Sequence, residues 1–344
     1  MGGSFSSTWT QSFPPKPTFT EKDVSDLKDK VSDNTSSRHF QVFTLQVYIV
    51  TGSNTGVGKE LARMLYSKNA KVYIAARSEE KANTAMAGIK KASPDSSGSM
   101  DFLRLDLADL TTIKVSADAF LSKEKKLHVL FNNAGIQSPD PGVTAQGYEA
   151  HLGVNSLGTF MFTKLLTPKL VETAKSEPAG TVRVIWVSSA ATEIVGEKSV
   201  GIHLDNLDYH IDKSEMYKYG MSKVGNYLHG VEYAKRHRSD GVVSIPLNPG
   251  NLQSDLYRDR TSLLFKVMVK YLMYPPVLGA YTELYAGLSP DINLDKTGSW
   301  VIPFGRIHPI RKDLTEATRT ESEGGNGTGL KFWQWSETEV NKYL

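Results

Sequence analysis

The 344-residue sequence contains no cysteine. That excludes disulfide staples, thiolate metal sites and a thiol nucleophile, and it fits a reducing, cytoplasmic setting. Neither sign of charge dominates, since 40 basic and 37 acidic side chains leave a net charge of +3. A nucleic-acid partner calls for a basic surplus, so none is expected. No apolar run reaches the roughly 18–20 residues that span a bilayer, and the N-terminus lacks a signal-peptide core. Zinc-ligand spacings and internal repeats are missing too, so no metal is expected. Met1-Gly2-Gly3-Ser4-Phe5-Ser6 matches the short N-myristoylation pattern, a match common by chance. What is present is 40% hydrophobic content, enough for one large α/β domain or two small ones.

The stretch Tyr48-Ile49-Val50-Thr51-Gly52-Ser53-Asn54-Thr55-Gly56-Val57-Gly58-Lys59 organises the rest. Ile49 and Val50 suit a parallel strand buried on both faces. Gly52, Gly56 and Gly58 lack Cβ atoms, so the turn can be tight and a ligand can approach the backbone. The helix that follows points free N–H groups and its positive end at the turn, which suits a pyrophosphate.

Further along, strand and helix patterns alternate. Strands are expected at Lys71–Ala76, Asp101–Leu105, Leu127–Phe131, Val182–Val187, Val242–Leu247 and Trp300–Ile302. Helices are expected over 59–69, from Ser78, from Asp109 to about Lys123, over 148–172, over 216–238 and twice within 262–288, on either side of Pro275-Pro276. Alternation of this kind gives a right-handed, parallel, doubly wound sheet: an α/β fold of the Rossmann type, three layers in one domain. The catalytic domain is expected over 47–305, with a substrate lobe at 251–290, a surface arm at 1–46 and a tail at 306–344.

Polar clusters fall at the C-terminal strand ends, where such sheets bind ligands. Arg77 ends the second strand, where an acidic residue usually takes the ribose 2′-OH of NAD. A guanidinium there, with Lys81 one turn on, would instead pair with a 2′-phosphate and favours NADP(H) over NAD(H). The competing reading is a solvated arginine at a strand end. Asp106 can bond an adenine amino group, and Asn133-Ala134-Gly135 can line the adenine ribose or support the strand beside it. Tyr219 and Lys223 sit four residues apart, on one helix face. A phenol with an ordinary pKa of about 10 becomes a usable acid or base near neutrality beside an ammonium. Tyr217 has only Met221 at that spacing. Ser189 can hydrogen-bond a substrate carbonyl or alcohol; Ser188 is its rival on the opposite side of the strand. Asn155 can hold a water behind Lys223, or simply kink its helix.

Together these motifs resemble the classical short-chain dehydrogenase/reductase family: TGSNTGVG at 51–58, DLAD at 106–109, NNAG at 132–135, Asn155, VSS at 187–189, YGMSK at 219–223 and NPG at 248–250. Within it the chain looks most like retinol-dehydrogenase-like and WW-domain-oxidoreductase-like members, and like fungal proteins of secondary metabolism. The resemblance implies a catalytic tetrad of Asn155, Ser189, Tyr219 and Lys223. It implies NADP(H) contacts at Gly52, Ser53, Asn54, Gly56, Val57, Gly58, Arg77, Lys81, Asp106, Asn133, Ala134, Gly135, Tyr219, Lys223, Pro249, Gly250, Leu252 and Ser254. Ser254 stands where a threonine often bonds the nicotinamide amide. The expected partner is a hydrophobic carbonyl or alcohol; a homodimer is also implied.

The lobe at 263–288, with Leu264, Phe265, Met268, Tyr271, Leu272, Met273 and Tyr274, points to a large apolar substrate. Ordinary core or dimer packing explains it equally, and a membrane-surface helix is a third reading, given Lys266 and Lys270. The expected activity is NADP(H)-dependent carbonyl reduction or alcohol oxidation. The alternatives are a non-catalytic NADP(H)-binding regulator and a dehydratase or epimerase on the same fold. One segment looks foreign: without VSDNTSSRHFQVFTLQ at 31–46, Asp29-Lys30 would run straight into the first strand. Its Val-Ser start and Gln end can be encoded by splice signals, so it reads as a retained in-frame intron or as a surface loop. A transcript sequenced across the junction decides between them.

Overall fold

In the computed structural model, the described residues are 3–32, 41–139, 142–253 and 273–344. Strands β1 (Lys28–Ser32) and β2 (Gln41–Leu45) pair antiparallel as a separate hairpin. The main sheet comprises β3 (Val47–Thr51), β4 (Lys71–Ala76), β5 (Ser99–Arg104), β6 (Val129–Asn132), β7 (Arg183–Val187), β8 (Val243–Leu247), β9 (Val301–Ile302) and β10 (Arg306–Ile307). Their order across the sheet is β10-β9-β8-β7-β6-β3-β4-β5, parallel except for β10. The chain winds outward through β4 and β5, then returns to β6 on the other side of β3. The switch point, and with it the ligand crevice, therefore lies between the C-terminal ends of β3 and β6.

The described α-helices are α1 (Gly3–Ser12), α2 (Gly56–Ser67), α3 (Glu79–Ala92), α4 (Leu110–Leu121), α5 (Thr159–Ala174), α6 (Ala191–Val195), α7 (Glu215–His237), α8 (Pro276–Leu288), α9 (Lys312–Ala317) and α10 (Thr328–Val340), with a π-helical segment at Leu152–Gly158 and short 3-10 turns between elements. Ser78 and Asp109 cap α3 and α4 by accepting from the N–H groups of Lys81 and Thr111, as their residue types favour. Alternate strand residues feed two cores. Tyr48, Val50, Ile74, Phe131, Ile185 and Val187 pack with α2 and α8; Ile49, Tyr73, Leu130, Val184 and Trp186 pack with α4, α5 and α7. Both faces of the sheet are thus covered, which is why its strands read as continuous apolar runs.

Buried Arg183 of β7 ties α8 to the sheet. Its guanidinium donates to the carbonyls of Ala286, Ser289 and Ile292 at 2.9–3.0 Å, near the helix end where carbonyls lack partners. The expected tail, 306–344, carries α9 and α10. Phe332 of α10 is fully buried, and His229 of α7 stacks between it and Phe160 at 4.7 and 4.6 Å.

The expected surface arm also carries structure. Helix α1 has Ser7 and Gln11 buried, and the paired strands occupy the whole described part of 28–45. Residues 33–40 of the foreign-looking segment lie outside the described residues. At the hairpin base, Gln46 N donates to Leu27 O at 3.0 Å, and Lys71 N donates to Gln46 O at 2.9 Å. The ends of the excursion therefore already adjoin, and its stem meets the sheet through Gln46 and Leu27. Ser254 and the lobe residues 263–272 lie outside the described residues; of the two helices expected there, the described one is α8.

Candidate active site

The glycine-rich turn joins β3 to α2 with Gly52 at φ +68° and Gly56 at φ +57°, the left-handed region that glycine enters without steric penalty. A Cβ on Gly58 would lie 2.5 Å from Asn133 Nδ2. The turn is thus pressed against the strand end of β6, and position 58 has no room for a side chain. Asn133 Nδ2 donates to Thr51 O at 2.7 Å, and Thr51 Oγ1 accepts from Ala134 N at 2.9 Å. The two loops are stitched side by side, so Asn133 and Ala134 act on the turn itself. Ser53 is fully buried, with its hydroxyl donating to Val50 O at 2.6 Å; it can meet a ligand only through its backbone.

Arg77 and Lys81 are exposed, just beyond β4 and in the first turn of α3. Asp106 folds back on its own loop, where Oδ1 accepts from Ala108 N at 3.0 Å. Asn54, Val57, Pro249 and Gly250 are partly exposed on the two loops; Leu252 is buried and bridges to Tyr274.

Tyr219 and Lys223 share one face of α7, with Nζ 5.9 Å from the phenol ring centre. Both are nearly buried, at 6% and 4% exposure. Lys223 Nζ donates to Val187 O at 2.9 Å, which anchors the ammonium under the end of β7. A Cβ on Gly135 would meet both Lys223 Nζ and Asn155 Oδ1 at 3.1 Å, so the loop after β6 brings these two polar groups together. Asn155 lies in the π-helical segment, a widened turn of the kind often found at functional sites. Its amide is locked: Oδ1 accepts from Ile136 N at 2.8 Å, and Nδ2 donates to Ile136 O at 3.0 Å and Ser222 Oγ at 2.9 Å.

The two serines differ as strand alternation demands. Ser188 is buried, its hydroxyl bonded to Lys223 O and Thr192 Oγ1, both at 2.6 Å. Ser189 is partly exposed, and its Oγ accepts only the weaker bond from Ala191 N, at 3.2 Å, among the contacts described. Tyr217 hydrogen-bonds Glu197 at 2.6 Å, away from Lys223.

Glu283 of α8 escaped the sequence reading, because one acid inside an apolar helix carries no spacing signal. It is fully buried, and neither carboxyl oxygen has a hydrogen-bond partner among the described residues. Burial pushes its carboxyl up to about 8, moderated by Lys223. Burial draws the Lys223 ammonium down to about 8, opposed by Glu283. An acid raised from its ordinary 4.5 stabilises the fold fully below that value, and the contribution is lost as pH rises through about 8. Glu283→Gln keeps a neutral side chain at every pH. Its Tm relative to the parent should therefore climb from pH 5 to pH 9, by about 2 °C or more. Thermal melts across that range test it; a flat difference would rule out a titrating buried carboxyl.

Among the described residues, no helix is long and apolar enough to cross a membrane, and no cluster of side chains could hold a metal. The sequence model of the family described as short chain dehydrogenase matches residues 46–200. A short-chain dehydrogenase/reductase of Phomopsis amygdali is 52% identical over 352 aligned positions, covering the whole of both chains. The short-chain dehydrogenase/reductase bet4 of Neocamarosporium betae is 49% identical, over 98% of this chain and 94% of that one. Among solved structures, an uncharacterised protein of Mycobacterium paratuberculosis superposes with a TM-score of 0.64 at 24% identity, over 94% of this chain and 97% of its own. The NADPH-bound carbonyl reductase from chicken fatty liver covers 74% of this chain and 96% of its own, with a TM-score of 0.56 at 19% identity. With its parallel sheet, glycine turn and Tyr–Lys helix, and with relatives this close along its full length, the chain belongs to the short-chain dehydrogenase/reductase family.

Proposed function

We propose that this oxidoreductase is an NADP(H)-dependent carbonyl reductase acting, in either direction, on a large apolar ketone or aldehyde. The observation that carries the reading is that Lys223 Nζ and Asn155 Oδ1 meet beside Gly135, with the Tyr219 ring centre 5.9 Å from the same ammonium, next to the glycine turn that opens α2. The cradle fits a dinucleotide: backbone N–H groups at the start of α2 face the turn, and the positive end of the helix favours a pyrophosphate there. Arg77 and Lys81 supply the cationic pair for a 2′-phosphate. A homodimer belongs to this reading as well.

Bound NADPH supplies the hydride for the carbonyl carbon. Tyr219 gives its phenolic proton to the carbonyl oxygen as that oxygen gains charge. Ser189 Oγ, partly exposed while Ser188 is spent on Lys223 O and Thr192, orients the same oxygen. Lys223, cationic below about 8, stabilises the phenolate left behind. Asn155 and Lys223 flank the place for a water that returns a proton to Tyr219. Holding the groups in attack geometry accounts for much of the rate.

The test is optical: NADPH and NADH consumption against a panel of hydrophobic ketones, aldehydes and quinones. Turnover with NADPH at about 10-fold or greater advantage over NADH is expected. Tight NADPH binding with no consumption across the panel would instead support a binding protein, and cofactor binding with substrate conversion but no net consumption a dehydratase or epimerase.

A further inference from the structure

Helix α6 follows directly on the candidate serine and is only five residues long. A helix that short does not hold itself in water, so its place comes from tertiary bonds. Its first turn is bonded to Ser189 twice: Ser189 O accepts from Thr192 N at 3.1 Å, and Ser189 Oγ accepts from Ala191 N at 3.2 Å. The direction of the Ser189 hydroxyl is therefore tied to the seating of α6. Thr192 holds one side of that helix through Ser188 Oγ at 2.6 Å, and Arg311 donates to the carbonyls of Glu193 and Gly196 at its far end. The Glu193 side chain supplies a third anchor.

That carboxyl group is buried with three donors on it. Gln11 Nε2 at 2.6 Å and Trp300 Nε1 at 3.1 Å donate to Oε1, and Ser7 Oγ donates to Oε2 at 3.0 Å. Burying a carboxyl group is costly without such donors. Two of the three belong to α1, which lies before residue 46, where the family match begins. Gln11 also accepts: Asn248 Nδ2 donates to its Oε1 at 2.8 Å, while Asn248 Oδ1 accepts from Gly250 N at 3.0 Å. One buried amide thus joins the turn after β7, which bears the serine, to the turn after β8, which bears Pro249 and Gly250. Arg306 fixes α1 itself, donating to Thr10 O at 2.9 Å.

We propose that Gln11 and Glu193 are positioning residues for Ser189: docked α1 fixes the first turn of α6, and that turn aims the serine hydroxyl at the substrate oxygen. The assignment rests on the carbonyl-reductase reading, and it makes the N-terminal helix part of the catalytic unit.

The test uses the full chain with NADPH and decanal. In Gln11→Met an unbranched side chain of similar length fills the same space without the donor or the acceptor. Its kcat should fall about 10-fold, with KM for decanal and the NADPH dissociation constant within about 3-fold. Ser189→Ala alone should cost about 10²-fold in kcat. In that background Gln11→Met should cost less than about 2-fold more, because the hydroxyl it aims is gone. An equal cost of Gln11→Met with and without Ser189 would mark a general loss of packing and overturn the proposal. Ser7→Ala removes one donor from Glu193 and leaves Gln11 in place; it should show the same pattern at about 3-fold in kcat, and it carries the cycle if Gln11→Met melts too low to assay. Hydrogen exchange reads the same device without turnover. In Gln11→Met the amides of 191–195 should exchange about 10-fold faster while those of β7 keep the parent's rates. Unchanged exchange over 191–195, or acceleration throughout the chain, would overturn the proposal. If the parent consumes no NADPH with decanal, or Ser189→Ala turns over like the parent, the reductase reading is what fails, and the exchange result alone upholds or overturns the positioning.

Discussion

Tyr219→Phe should lower kcat by about 10³-fold while the dissociation constant for NADPH stays within about 2-fold. A positioned general acid contributes about 10²–10⁴-fold, and the neighbouring phenol is engaged elsewhere. Tyr217 is turned to Glu197 at 2.6 Å. Phenylalanine retains the ring that packs edge-on against His151, 5.9 Å away, so the 6%-exposed site should keep its shape. The loss should fall on kcat and kcat/KM alike, the pattern for a contact made in the transition state. Stopped-flow turnover paired with a fluorescence titration of NADPH separates the two quantities. Turnover within about 10-fold of the parent would remove Tyr219 from the role of proton donor.

Arg77→Asp should reverse the cofactor preference. A guanidinium paired with a 2′-phosphate contributes charge-assisted hydrogen bonds worth about 1.5–3 kcal/mol each. An aspartate there repels the phosphate and can accept from a ribose 2′-OH instead. kcat/KM with NADPH should fall about 10²-fold or more, and that with NADH should rise. The side chain is exposed, immediately before the Ser78 cap of α3, so the substitution leaves the core untouched. An unchanged NADPH-to-NADH ratio would mean that Arg77 is a solvated strand end and that the 2′-phosphate is held elsewhere.

The architecture was legible wherever a local pattern has a global consequence. Apolar runs at β3, β6 and β7 reflect a sheet covered on both faces, and such runs mark buried parallel strands. The caps Ser78 and Asp109 act at one turn's distance, so residue type alone located α3 and α4. The Tyr219–Lys223 spacing places two side chains on one face of any helix. The terminal segments were harder. Helix α1 is short, and among the described contacts it docks through the Ser7 and Gln11 side chains and the Thr10 carbonyl, whose partners no local spacing announces. The 306–344 segment holds helices whose aromatic residues gain meaning only against Phe160 and His229 of the core.

What the sequence determined by itself is the class of fold, the family, and the identity of the candidate acid, its lysine and the glycine cradle. Those depend on spacing within one element or one turn, which chain geometry enforces. Tertiary structure alone decided which neighbours complete the site. Ser188 is consumed by Lys223 O and Thr192, Asn155 is locked by the Ile136 backbone, Glu283 is buried across the sheet from Lys223, and α1 is latched to Glu193, 186 residues from Ser7. Such partners lie far apart along the chain, and burial, which sets their protonation and their hydrogen bonds, exists only once the sheet and its two helical layers have closed.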